Sequence, residues 1–179
     1  MPELPVPDLR TDAFFLRPWR PDDVEQLVAE LQDPEIPRWT RIPEPYTHED
    51  GREFLERTAE GWNQGTSANF AVVDVAGDRL LGSIGVIFHD GSASIGYWVA
   101  QGARGRGIAS EALRLISRWV LGTFAVERLE LVAAPDNEAS LRVAENAGFT
   151  REGLLRRYVE IKGTRQDCVM FSLLPDDLG

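Results

Sequence analysis

Hydrophobic residues along this chain change period several times, and each change marks an element. Phe14-Phe15-Leu16 leading into Arg17-Pro18-Trp19 predicts a first strand. Pro21-Asp22-Asp23 then opens a helix, with Val24, Leu27, Val28 and Leu31 at i, i+3, i+4 and i+7, the spacing of one helix face. Asp33 to Tyr46 carries four prolines and predicts a loop. Thr47, with Asp50 three residues on in a variant of the capping-box spacing, starts a second helix expected to carry Phe54, Leu55, Ala59 and Trp62 on its apolar side. Phe70 to Val75 and Leu80 to Phe88 are rich in Val, Ile and Phe, and Ala76-Gly77-Asp78-Arg79 between them makes a hairpin. Asp90-Gly91-Ser92 leads into another strand, Ala93 to Val99, and a helix runs from Ser110 to Val120. Arg128 to Ala133 alternates, with Leu129 and Leu131 on one face and Glu130 on the other. Pro135-Asp136-Asn137 ends that strand and starts a helix through Leu141, Ala144 and Ala147, which Gly148 terminates. Strands around Leu154 to Glu160 and Arg165 to Leu173, turning at Gly163, complete the pattern.

Between the strand ending at Val99 and the next helix lies Gln101-Gly102-Ala103-Arg104-Gly105-Arg106-Gly107-Ile108-Ala109. Glycines there let the backbone turn sharply and present N–H groups, and a helix N-terminus adds about half a positive charge at the same place. Strand, glycine turn and helix in that order are the layout of a phosphate cradle. Two familiar cradles fit poorly. A Walker A loop ends in Gly-Lys-Ser/Thr, which is absent. A dinucleotide fingerprint needs a third glycine where Ser110 stands, and opens a βαβ unit rather than following hairpins, although Glu127 and Glu130 lie near the position of a ribose-binding acid.

Composition narrows the partners. A chain of 179 residues suits one domain, here residues 13–175, preceded by an extended arm over residues 1–12 with prolines at 2, 5 and 7. No apolar run reaches the ~20 residues of a membrane span. Cys168 is the single cysteine and His48 and His89 are the only histidines, so neither a disulfide nor a metal set is expected, and a reducing, cytoplasmic setting follows. The net charge of −10 argues against nucleic acid. That charge is uneven: Pro21 to Glu60 holds twelve Asp/Glu against four Arg, whereas Gln101 to Arg165 holds eight against eleven Arg/Lys. Both stretches suit solvated faces; they also suit an acidic side for a cationic acceptor and a basic side for an anionic donor.

Arg104-Gly105-Arg106-Gly107-Ile108-Ala109 fits the pattern Arg/Gln-x-x-Gly-x-Gly/Ala, and with it the chain resembles the GNAT superfamily of acyl-CoA-dependent N-acyltransferases, in particular its ribosomal-protein N-terminal (RimJ/RimL-type) branch. Leu16-Arg17-Pro18-Trp19-Arg20-Pro21-Asp22-Asp23 resembles the branch's opening strand and helix start, Ile95-Gly96-Tyr97-Trp98-Val99 its fourth strand, and Asn137-Glu138-Ala139-Ser140 through Ala147-Gly148-Phe149 its Asn-x-x-Ser to Gly-Phe segment. The resemblance implies an α+β fold, a mixed, mostly antiparallel twisted sheet of six to seven strands with about four helices, its fourth and fifth strands splayed apart. It implies acetyl-CoA as co-substrate, its pyrophosphate held by Arg104, Gly105, Arg106, Gly107, Ile108 and Ala109, its pantetheine arm by the strand edge at Trp98 and Val99 and by Asn137. Asn137 is equally a plain helix N-cap. Ser140 is the candidate to hydrogen-bond the thioester sulfur or protonate the departing thiolate. Trp39 and Arg41 fall on the acceptor side. The expected assembly is a monomer or a homodimer.

Departures from the family pattern matter for mechanism. The tyrosine general acid that many relatives place seven residues after the Asn is Ala144 here, and a frequent Glu before Ile95 is Ser94. Glu160, beside Val159 at the position where some relatives carry a carboxylate, is a candidate base. Only a neutral amine attacks a thioester, and at pH 7.5 deprotonation costs an α-amine about 0.5 kcal/mol and a lysine about 4 kcal/mol. A site without a clear base suits an α-amine, and the resemblance implies an acetyltransferase acting on a protein or peptide N-terminus as the first expectation. Small-molecule amines, transfer of a larger acyl group such as succinyl, and a non-catalytic acyl-CoA sensor are the alternatives.

Overall fold

A computed structural model describes residues 4–178. Eight strands form one sheet in the order β1-β2-β3-β4-β5-β6-β8-β7. They are β1 (Leu9–Arg10), β2 (Phe14–Pro18), β3 (Ser67–Asp74), β4 (Leu80–Phe88), β5 (Ser92–Val99), β6 (Arg128–Ala133), β7 (Thr150–Ile161) and β8 (Thr164–Leu173). Every neighbouring pair is antiparallel except β5 and β6. The helices are α1 (Val24–Glu30), α2 (Glu35–Trp39), α3 (His48–Gln64), α4 (Ile108–Thr123) and α5 (Glu138–Asn146). None of these is long and apolar enough to cross a membrane.

The sheet separates two cores because successive side chains of a strand face opposite ways. Phe70 and Val72 of β3 pack with Trp62, Leu113, Ile116 and Trp119 in the larger core under α4 and α5, whereas Ala71 and Val73 pack with Leu27, Val28 and Leu31 in the smaller core under α1. Trp62, Phe70 and Trp119 meet one another with ring centroids 5.1–6.4 Å apart. Of the arm expected over residues 1–12, residues 1–3 lie outside the described region. Leu4 is buried, its carbonyl accepts the Trp62 indole N–H at 3.0 Å, and Leu9–Arg10 adds the edge strand β1.

Most expected elements stand where the pattern put them, with three corrections. The sheet has eight strands rather than six to seven, and there are five α-helices rather than four. The extra helix, α2, lies inside the expected loop: Pro34 is its N-cap and Pro37 sits in its first turn. The first turn has no intrahelical use for its N–H groups, so neither proline costs a hydrogen bond. Finally, α3 buries Gly51, Thr58, Gly61 and Trp62, while Ala59 is exposed. The expected capping box is present, with Thr47 Oγ1 accepting the Asp50 N–H at 3.2 Å and Asp50 accepting the Thr47 N–H at 2.8 Å.

Candidate active site

The site begins as a parting of two strands. Parallel β5 and β6 pair only from Ser92, Ala93 and Ser94 to Arg128, Leu129 and Glu130. Beyond Ser94, β5 stays on β4 while β6 stays on β8, so the strands diverge as the resemblance implied. On the β6-facing edge of β5 the main-chain groups of Ile95, Tyr97 and Val99 therefore have no strand partner, and such groups are strongly driven to find one. The opening is a cleft of about 640 Å³, walled by Tyr97, Trp98 and Val99 on one side and Leu131, Val132 and Ala133 on the other.

One end of the cleft is the glycine turn. Gly105 has φ 73° and Gly107 φ 76°, left-handed values that side chains with a Cβ adopt at a cost. These two positions roll the chain so that, among the described residues, the N–H groups of Gly105, Arg106 and Gly107 donate to no backbone carbonyl. Those of Ile108, Ala109 and Ser110, in the first turn of α4, have no intrahelical partner. A run of converging N–H groups at a helix start is an anion nest. Gly105, Gly107, Ile108 and Ala109 line the cleft. Arg104 also lines it, but its guanidinium is already engaged: Nε donates to Val99 O at 3.3 Å and NH2 is ion-paired with Asp33. Arg106 is exposed and does not line the cleft.

The middle of the cleft is set by α5. Asn137 is the N-cap, its Oδ1 accepting the Ser140 N–H at 3.1 Å, and both residues line the cleft. The Ser140 hydroxyl lies 2.8 Å from the Tyr97 hydroxyl. Burial pushes the Tyr97 phenol up to about 12, more than the Ser140 hydrogen bond lowers it. Tyr97 lies in the strand segment Ile95 to Val99, and nothing in the local sequence marks its hydroxyl for a chemical role. Ala144, at the position of the absent family tyrosine, is fully buried in the core.

At the other end are Trp39 and Thr40 with Val159, Ile161, Gln166 and Cys168 of the β7–β8 hairpin. Burial pushes the Cys168 thiol up, leaving a neutral side chain. Arg41 and Glu160 do not line the cleft. Instead Arg41 Nε donates to the Glu160 carbonyl at 3.2 Å, and Lys162 pairs with Glu44 at 2.9 Å, so these contacts tie the α2–α3 connection to the hairpin tip. Strand alternation explains Glu160: Val159 and Ile161 face the cleft, and Glu160 between them faces away, 3.8 Å from Arg165. Among the described residues Glu35 is the one carboxylate along the cleft, and it is paired with Arg38 at 3.3 Å.

The chain is similar to known proteins. Residues 14–150 match the family profile described as an acetyltransferase (GNAT) domain. The chain is 30% identical over 178 residues to the "Probable N-acetyltransferase YjcK" of Bacillus subtilis, covering 94% of this chain and 98% of that one. It is 28% identical over 85 residues, 48% of each chain, to the ribosomal-protein-serine acetyltransferase of Escherichia coli. Its fold superimposes with a TM-score of 0.84 on Mycobacterium smegmatis RimJ in complex with CoA-disulfide, at 24% identity over 97% of this chain and 88% of that one.

Proposed function

The chain belongs to the GNAT acetyltransferase family and is an acetyl-CoA-dependent N-acetyltransferase; we propose that its acceptor is the N-terminal α-amine of a protein or peptide. The observation that carries this reading is the poverty of carboxylates along the cleft, where Glu35 alone occurs and is paired with Arg38. A lysine or a polyamine arrives protonated and needs a base or a counter-charge. An α-amine at pH 7.5 needs only about 0.5 kcal/mol to become a nucleophile, against about 4 kcal/mol for lysine. The ribosomal-protein-serine acetyltransferase of Escherichia coli, similar over 48% of the chain, supports a protein as acceptor.

The residues present suit the donor. Unpaired N–H groups from Gly105 to Ser110 supply donors for the pyrophosphate, and the main-chain groups of Tyr97 and the Val99 N–H on the free β5 edge offer pairing to the pantetheine amides, whereas Trp98, expected in that role, turns its main-chain groups to Ser83 of β4. Acetyl-CoA supplies an activated acyl carbon and a thiol leaving group. The chain's part is to hold that carbon against the incoming nitrogen, and orientation of this kind is worth up to roughly 7–11 kcal/mol. N–H groups on the β5 edge stand to stabilise the charge that develops on the carbonyl oxygen. Asn137 and Ser140 line the same cleft, where Ser140 is the proposed donor to the sulfur.

Intact-mass measurement after incubation with acetyl-CoA tests the acceptor. Peptides with a free N-terminus should gain one acetyl group, while N-terminally blocked, lysine-containing peptides and polyamines should remain unmodified. Faster modification of lysine or polyamine would overturn the assignment. The kcat/KM should rise with pH and level off near the α-amine range of about 7.7–8.0, not continue toward pH 10. Ser140→Ala should lower kcat about tenfold to thirtyfold, the worth of one hydrogen bond to a charged leaving group, with acetyl-CoA affinity retained. Unchanged turnover would remove Ser140 from the reaction.

A further inference from the structure

We propose that Tyr97 fixes the direction of the Ser140 hydroxyl, holding it as a donor toward the thioester sulfur, and so acts as a positioning residue for the departure of coenzyme A. The inference rests on the acetyl-transfer reading above. Tyr97 comes from the free end of β5 and Ser140 from the first turn of α5, and their oxygens lie 2.8 Å apart across 43 residues of sequence. Among the described residues, that contact is the one hydrogen bond made by either hydroxyl.

A hydroxyl has one proton to give and lone pairs to receive. The half-buried phenol is the stronger acid and the weaker acceptor of the two hydroxyls, so it gives its proton to Ser140, its one hydrogen-bond partner among the described residues. The rise of its pKa to about 12 keeps the proton in place across the working range. Ser140 is then the acceptor, and its own proton has no acceptor in the protein. It is left for the cleft that Ser140 lines. The opposite arrangement, with Ser140 donating to Tyr97, would commit the Ser140 proton to the phenol and leave none for the sulfur. A donor that itself receives a hydrogen bond is also a stronger donor.

The electron accounting is simple. The amine lone pair forms the N–C bond, the C–S bond breaks with its pair passing to sulfur, and the amine proton leaves to solvent. The thiolate accepts the Ser140 O–H as a hydrogen bond. Neither Tyr97 nor Ser140 gives up its proton, since a thiolate whose acid has a pKa near 8.5 is too weak a base to take one from this phenol.

Tyr97→Phe removes one oxygen and keeps the ring, and Ser140→Ala and the double variant complete a cycle. Each is assayed with acetyl-CoA and a free-N-terminus peptide, with acetyl-CoA affinity measured by calorimetry. Tyr97→Phe should lower kcat about fivefold to tenfold while leaving the acetyl-CoA Kd unchanged. The double variant should match Ser140→Ala within about twofold, because Tyr97 has nothing to act through once Ser140 is gone. Full kcat in Tyr97→Phe, a loss of affinity that parallels its loss of rate, or a double variant showing the product of the two single losses would each overturn the inference. A wild-type chain that binds acetyl-CoA and acetylates no amine would overturn the acetylation reading and this inference together. Turnover by wild type with no effect of Tyr97→Phe overturns this inference alone.

Discussion

Gly107→Val is expected to lower acetyl-CoA affinity by at least about a hundredfold, the loss of two or more charge-assisted hydrogen bonds, while the fold survives. Gly107 has φ 76° and is the N-cap of α4. A β-branched residue is a true outlier in that region, so valine drives the backbone toward negative φ and re-aims the N–H groups on either side. A Cβ at Gly107 would meet no protein atom within 4 Å. The fault is therefore conformational and local, and it falls on the anion nest. The strain, of order 1–3 kcal/mol, should lower Tm by only a few degrees. Gly91 supplies the control. It has φ 71°, also meets nothing within 4 Å, and lies in the β4–β5 turn away from the cleft. Gly91→Val should show a similar fall in Tm with wild-type affinity. If calorimetry finds both variants binding acetyl-CoA as wild type does, the glycine turn is not the diphosphate site.

Features written in local sequence were readable, and features made by distant contacts were not. The glycine turn, the Thr47–Asp50 box and the Asn137 cap are each a few residues long, and each is present. The α2 helix was hidden because prolines usually mark loops; Pro34 and Pro37 happen to fall at the end of a helix where no N–H is needed. The inward side of α3 was misread at Ala59 because Gly51, Thr58 and Gly61 make much of that side, and residue type alone does not mark them as buried. Arg104 is expected among the pyrophosphate residues, and nothing nearby in sequence shows its partner Asp33, which stands 71 residues earlier. The Tyr97–Ser140 contact depends on the divergence of β5 from β6, which brings α5 against the open strand edge; no local pattern encodes it. Glu160 shows how finely parity decides. One residue either way along β7 would turn its carboxylate into the cleft, and the register at Glu160 and Arg165 turns it out.

Asp23→Asn should destabilise the fold by about 3–5 kcal/mol at pH 7, because it leaves the Arg17 guanidinium buried without its main counter-charge. The two residues join β2 to the start of α1 through a bidentate pair, NH1 to Oδ2 and NH2 to Oδ1, both 2.7 Å, with side chains 8% exposed. Asp23 Oδ2 also accepts the Arg20 N–H at 2.7 Å. Asp78, 3.3 Å from Arg17 but half-exposed, compensates in part, which places the expectation toward the lower end of that range. Replacing both partners, as in Arg17→Met with Asp23→Asn, removes the stranded charge and should cost less than Asp23→Asn alone. Acid titration gives an independent reading. Burial pulls the Asp23 carboxyl upward, but its hydrogen bonds with Arg17 and the Arg20 N–H outweigh it, so the folded-state value lies below 3.8. A carboxylate lowered in the folded state contributes fully above its unfolded value, near 3.9, and loses that contribution as pH falls through the folded value. Urea unfolding at pH 7, 5 and 3 should therefore show the gap between wild type and Asp23→Asn constant from pH 7 to 5 and narrower at pH 3. A gap that stays constant down to pH 3 would mean that the pair contributes by packing alone and not by its charge.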